Sequence, residues 1–216
     1  ILSALDRGAV AIVVDREESI VEEWIHKVPF ILVDDARDAL SLIAAWFYDY
    51  PARKLDMVGI TGSNGTSVAF MTCHLLRSMG RKVGMIGMIR YEIGSRQIPA
   101  QRKTPDAIEL QRLLHEMTRA GCCACVMEVS SRAIDQKRVN GIPFRIMVFT
   151  NLTRDHLDYH QDLETCFETK RMLMDGTLGV ASSALRVINV DDAYGRRLQV
   201  ALQGRRVCTF GLESAF

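Results

Sequence analysis

Two periods of apolar residues run through the chain. Short continuous apolar runs at Ala9–Val14, Phe30–Val33, Met57–Thr61, Val83–Ile89, Cys123–Val129, Ile146–Thr150 and Leu185–Val190, with a last one at Arg206–Phe210, predict strands buried on both faces. Between them, Ala36–Tyr48, Ser67–Ser78, Asp106–Ala120, Leu163–Met174 and Ala193–Leu202 predict helices, and the charged stretch Asp15–Glu23 is read as one more. Strands alternating with helices predict an α/β doubly wound, mainly parallel sheet, with ligands expected beyond the carboxyl ends of the strands.

Local signals set the punctuation. Asp34 or Asp35 can cap the helix Ala36–Tyr48, whose apolar residues Leu40, Ile43, Trp46 and Phe47 recur at three and four. Asp49-Tyr50-Pro51 breaks that helix, because a proline disfavours helical geometry in the residue before it. A boundary is therefore expected near Lys54, with residues 1–54 the end of a smaller α/β domain and 55–216 the larger one. The helix from Ser67 carries Val68, Met71, Leu75, Leu76 and Met79. A hairpin is expected around Gly94-Ser95, and Thr104 can cap a helix with Pro105 at its first position.

Composition narrows the class without naming a partner. The 216 residues are 48% hydrophobic and 25% charged with a net charge of +1, ordinary globular usage that offers no electrostatic footprint for nucleic acid or an anionic membrane. The chain shows neither a membrane-length apolar run nor the plan of a signal peptide, so no membrane insertion and a cytoplasmic location are expected. The six cysteines form no disulfide framework, and Cys122, Cys123 and Cys125 are read as strand residues in preference to metal ligands. The ends, at Ile1 and just past a strand-like run, are expected to be cuts through a longer protein.

The chemistry begins at Gly62-Ser63-Asn64-Gly65-Thr66-Ser67, which joins a strand to a helix. Such a turn presents backbone N–H groups and a helix N-terminus to a phosphate, although a glycine turn is also common structural punctuation. A phosphate loop ordinarily reads Gly-Lys-Ser/Thr here, and in this chain Gly65 runs directly into Thr66. Glu128, at the carboxyl end of a buried strand, needs a metal or cationic partner, or else caps the next helix.

The stretch from Gly59 to Ser67 resembles the Mur ligase loop G-x-T-G-[TS]-N-G-K-[TS]-[TS] with its lysine deleted. Thr104-Pro105-Asp106 is similar to T-T-P-D, Met127-Glu128-Val129-Ser130-Ser131 to M-E-V-S-S, and Phe149–His160 to the long T-N-L-x-x-D-H-L-D-x-H motif of the same family. Lys170 and the segment ending Asn189-Val190-Asp191-Asp192 follow in family order. The resemblance spans about Leu55 to Gly211, and residues 1–54 look like the tail of the family's UDP-binding domain. The motif wording is nearest to the branch acting on UDP-N-acetylmuramoyl-L-alanyl-D-glutamate.

The resemblance implies an ATP- and Mg2+-dependent ligase of peptidoglycan synthesis. ATP phosphorylates a substrate carboxylate, and an incoming amino acid, meso-diaminopimelate or L-lysine, displaces the phosphate. It implies that Gly62, Ser63, Asn64, Gly65, Thr66, Ser67 and Asn151 serve ATP. Thr66, Glu128, His156 and a carbamylated Lys170 would hold the metal, the last three being the catalytic set. Thr104, Ser130 and Arg138 would grip the UDP-muramoyl substrate. For His156, Lys170 and Arg138 the plain alternatives are a structural histidine and solvated helix charges. The family's carboxyl-terminal amino-acid-binding domain is expected to lie outside this chain, and a monomer is expected.

Three departures stand against the family pattern: the missing lysine, Lys103 in place of threonine, and Arg132 in place of histidine. They leave open a non-catalytic Mur-like protein that keeps only the precursor grip. Ligases of the same superfamily acting on folate or a polyamide fit the Ser130-Ser131 and Arg138 pattern less well.

Overall fold

The computed structural model describes residues 1–17, 20–153, 159–178 and 183–213. Period-two alternation is what makes its central sheet. In β3 (Asp56–Thr61), β7 (Ala124–Glu128) and β8 (Phe144–Phe149) successive apolar residues enter opposite cores. Met57, Cys125, Met127, Met147 and Phe149 go to one cluster, and Val58, Ile60, Val126, Ile146 and Val148 to the other. Strands apolar on both faces are stable only when both faces are covered, which is why the expected α/β class follows.

Eight strands form that sheet. From β3 the chain runs through α4 (Gly65–Ser78), β4 (Val83–Ile86), the hairpin β5 (Arg90–Ile93) and β6 (Arg96–Pro99), and α5 (Ala107–Arg119) to β7. It continues through α6 (Ser131–Asp135), β8, α7 (Leu163–Asp175), β9 (Leu185–Asn189) and α8 (Ala193–Ala201) to β10 (Val207–Phe210). The spatial order is β10-β9-β8-β3-β7-β4-β5-β6, parallel except for the antiparallel β5 and β6 at one edge. β3 is central, with β7 on one side and β8 on the other, so Thr61, Glu128 and Phe149 end side by side. In such sheets ligands collect at that switch point.

The first 54 residues form α1 (Leu2–Asp6), a two-stranded parallel sheet of β1 (Ile12–Val14) and β2 (Phe30–Leu32), α2 (Glu22–Ile25) and α3 (Ala36–Phe47). Two left-handed residues, Asp49 (φ 61) and Tyr50 (φ 46), then turn the chain into a short 3-10 segment, Pro51–Lys54. α3 packs on α5 and is tied to the segment after α6. Ser41 Oγ donates to the Lys137 carbonyl at 2.6 Å, and Asn140 Nδ2 donates to Asp38 Oδ1 at 2.7 Å.

The structure corrects several expectations. Leu40, Ile43, Trp46 and Phe47 are exposed, the last two at 67% and 72%, and α3 instead buries Ser41, Ala44 and Ala45. α4 starts at Gly65, earlier than expected, and buries Gly65, Ala69 and Cys73 while Met71, Leu75 and Met79 face outward. Both buried faces are thus made of small residues. Asp35 is the cap of α3, accepting from the Arg37 and Asp38 N–H groups. Asp106, not Thr104, caps α5 by accepting from the Glu109 N–H, since the Thr104 hydroxyl is engaged elsewhere. Of the helix expected over Asp15–Glu23, Glu22 and Glu23 fall in α2, and Glu18 and Ser19 lie outside the described residues. The strand expected to reach Ile89 stops at Ile86, and α6 had no counterpart in the expected elements. Cys122 and Cys125 are buried strand-region residues, whereas Cys123 is exposed.

Candidate active site

Three strand ends and the turn after β3 converge on one carboxylate. Glu128 is the last residue of β7 and its side chain is fully buried. Oε1 accepts the Thr66 hydroxyl at 2.9 Å, and Oε2 accepts the Met88 N–H at 2.8 Å. Lys103 Nζ lies 3.2 Å from Oε1 and makes the charged partner that burial of the carboxylate requires. Glu128 does not cap α6; Ser130 does, accepting from the Ala133 N–H at 3.2 Å.

The turn itself needs its glycines. Gly62 has φ 127, a left-handed conformation that side chains rarely adopt, and a Cβ there would come within 2.8 Å of the Asn151 carbonyl. A Cβ on Gly65 would press on Glu128 Oε1 at 2.9 Å, so Gly65 lets the helix start beside the carboxylate. Asn64, at the N-cap of α4, makes no side-chain capping bond, which leaves the first amides of a 14-residue helix without a side-chain cap. Asn151 braces the turn from the end of β8. Its carbonyl accepts the Ser63 N–H at 3.1 Å, and its Oδ1 accepts the Asn64 N–H at 3.2 Å. The Thr153 N–H and hydroxyl both donate to Ser63 Oγ, at 3.0 and 2.8 Å. Ser67 follows Thr66 in the first turn of α4.

Lys170 sits on α7 and is buried, with Nζ 3.2 Å from Thr61 Oγ1 at the end of β3. It is therefore no solvated helix lysine. His156, the remaining member of the expected catalytic and metal set, lies outside the described residues.

The other expected residues stand on the far side of Glu128. The Thr104 hydroxyl donates to the Glu128 carbonyl at 2.9 Å and accepts the Ser130 N–H at 3.1 Å. Arg138 Nη1 donates to the Thr104 carbonyl at 2.9 Å, while its Nε donates to Gln136 Oε1 at 3.0 Å. Burial, followed by the neighbouring Arg102 cation, lowers the Arg138 pKa from its ordinary value, a direction that disfavours charge, yet a guanidinium stays protonated. These residues line an open cleft of about 560 Å³ together with Arg102, Lys103, Ser131, Arg132, Gln136 and Tyr159. Among the described residues four cations and no carboxylate line that space, which suits an anionic ligand with phosphate or carboxylate oxygens.

Of these lining residues, Arg102 and Gln136 were not singled out by their sequence context, and Tyr159 fell at the unspecified position of the long motif; Arg132 lies over its ring at 4.3 Å. Thr61, a partner of Lys170, was matched in the loop motif but given no role.

A mainly parallel sheet that sets a glycine turn and an uncapped helix start beside a buried carboxylate and a cationic cleft is a doubly wound α/β domain with its candidate site at the carboxyl ends of the strands. The family model described as the Mur ligase middle domain matches residues 60–216, and the chain belongs to the Mur ligase family. It is 44% identical over 202 residues to a UDP-N-acetylmuramoyl-L-alanyl-D-glutamate--2,6-diaminopimelate ligase of Geobacter metallireducens, covering 92% of this chain and 39% of that protein. A protein of the same description from Geobacter sulfurreducens is 42% identical over 220 residues, covering 99% of this chain and 42% of its own length. A solved structure of a protein with this name superposes with a TM-score of 0.78 at 26% identity, covering 99% of this chain and 43% of that one. The chain thus spans about two fifths of the relatives it matches. No helix among the described residues is long and apolar enough to cross a membrane.

Proposed function

We propose that this chain carries the ATP site and the precursor grip of an ATP-dependent ligase. The ligase would add a diamino acid, 2,6-diaminopimelate in the relatives' names, to UDP-N-acetylmuramoyl-L-alanyl-D-glutamate. The observation that carries this reading is Glu128. Its carboxylate is held by the glycine turn through Thr66, and its carbonyl is held by the cationic cleft through Thr104. A phosphate donor on one side and an anionic acceptor on the other would then meet over one residue, as phosphoryl transfer to a carboxylate requires.

The turn and the start of α4 would receive the phosphate chain through main-chain N–H groups, with Asn151 fixing the loop. Thr66 and Glu128 fit a Mg2+ ion, since a hydroxyl and a carboxylate oxygen, both hard donors, lie in contact at the mouth of the turn. His156 and a carbamylated Lys170 would complete that set. The ion would neutralise the repulsion between the phosphates and the acceptor carboxylate. Arg138, Thr104 and Ser130 would orient the UDP-muramoyl precursor so that its carboxylate faces the turn. The amine of the incoming amino acid then displaces phosphate from the acyl phosphate and forms the amide.

Replacing Glu128 by Ala in the full-length enzyme is expected to abolish precursor-dependent phosphate release, and unchanged turnover would overturn the assignment. A full-length protein that binds the UDP precursor without any ATPase activity would establish the non-catalytic reading instead.

A further inference from the structure

The glycine turn contains no lysine, since Gly65 is followed by Thr66, yet a phosphate loop needs a cation at the outer phosphates. We propose that Lys103 supplies this cation from a different element, reaching across from the segment between β6 and α5 to serve the phosphate chain of bound nucleotide. This inference rests on the nucleotide reading of the turn.

Lys103 Nζ stands 3.2 Å from the carboxylate oxygen that also accepts the Thr66 hydroxyl, so the ammonium lies at the entrance of the first turn of α4. Its side chain is only 18% exposed. The segment carrying it is braced on both sides. The Tyr91 hydroxyl donates to the Arg102 carbonyl at 2.7 Å and accepts the Arg102 N–H at 3.2 Å. Thr104 is bonded to the Glu128 carbonyl and to Ser130. A lysine between two fixed neighbours is pre-positioned, and little ordering remains to be done when a ligand arrives.

The chemistry permits the change of origin. An ammonium binds phosphate as a point charge with three rotatable donors on a flexible stem, so the element from which it comes matters little. With Glu128 accepting one N–H, the others are available to phosphate oxygens lying on the helix start. The residue that departs from the family pattern at position 103 and the residue missing from the turn are then two halves of one exchange.

The test is calorimetric titration of the full-length protein with ATP, ADP and AMP in EDTA, which removes any metal. The wild-type chain is expected to prefer ATP over AMP. Lys103→Met should weaken ATP binding about 10- to 100-fold and leave AMP binding unchanged, whereas Lys103→Arg should keep most of the ATP affinity. Inserting a lysine between Gly65 and Thr66 of the Lys103→Met chain should restore ATP binding. ATP binding by Lys103→Met equal to wild type would make Lys103 a mere counter-ion of Glu128, overturning the inference while the nucleotide reading stands. Equal loss of ATP and AMP affinity would also overturn it, as a collapse of the turn. A wild-type chain that binds no ATP would bring down both. Should Lys103→Met unfold, Lys103→Gln, which removes the charge but keeps a donor toward Glu128, is held to the same comparison.

Discussion

Two buried glutamates in this sheet have opposite surroundings. Glu92, on β5 near the antiparallel edge, is 1% exposed and is clamped by two guanidiniums, Arg77 Nη1 on one oxygen and Arg90 Nε on the other, both at 2.5 Å. Arg77 also donates to the Val83 carbonyl at 2.8 Å, and Arg90 lies over the Phe70 ring, so that cluster is closed by its own partners. Glu128 is equally buried, but it is held by a hydroxyl, a backbone N–H and a single ammonium, and it stands between a glycine turn and an open cationic cleft. Two fixed forks make a structural ion pair. A carboxylate with one ammonium beside an opening is arranged for exchange of partners, and burial alone does not separate the two cases.

The strongest way to break the comparison is to damage the floor of the open site. Gly62→Ala forces a side chain into a left-handed backbone and toward the Asn151 main chain, which cannot move without disturbing β8. It is expected to cost about 2–4 kcal/mol of stability and to remove nucleotide binding. Thermal and denaturant unfolding measure the first and titration with ATP the second. A variant that melts like wild type would show that the turn can adopt another conformation.

Next in size is the closed cluster. Glu92→Gln removes the charge shared by two guanidiniums and is expected to cost about 1.5–3 kcal/mol while leaving ATP and precursor binding intact. Glu128→Gln should do the reverse, with a smaller loss of stability and a large loss of function. Equal stability losses with equal functional losses would erase the distinction between the two carboxylates.

How much of this was legible in the sequence depends on range. The central strands were read within a residue or two because their apolar runs admit few alternatives, and the glycine turn was found from the residues at its start. Helix faces were misread where small residues do the packing. Ala44, Ala45, Ala69 and Cys73 carry no strong periodic signal, while Trp46, Phe47 and Met71 do and are exposed. Thr104 was misread as a cap because its true partners, Glu128 and Ser130, are 24 and 26 residues away. Lys103 stood out only as a departure from a motif. Its ammonium meets Glu128 from the segment between β6 and α5, a contact between elements far apart in sequence that local patterns do not encode.

The smallest expected effect is the one that acid should reveal. Burial pushes the Glu92 carboxyl up, but the Arg90 and Arg77 guanidiniums outweigh it and hold the pKa below its ordinary value of 4.5. A carboxylate whose folded pKa is depressed adds stability that is fully present above its unfolded value and is lost as pH falls through the folded one. Wild-type stability should therefore hold down to about pH 4.5 as far as this cluster is concerned, and decline below it. Glu92→Gln has no proton to take up at this position, so its deficit relative to wild type should narrow as the pH is lowered through that range. Urea unfolding of both chains at a series of pH values measures the difference directly. A deficit that stays constant from neutral pH down to acid would mean that the two guanidiniums hold Glu92 by shape and packing and not through its charge, and the cluster would then cease to be the charged counterpart of Glu128.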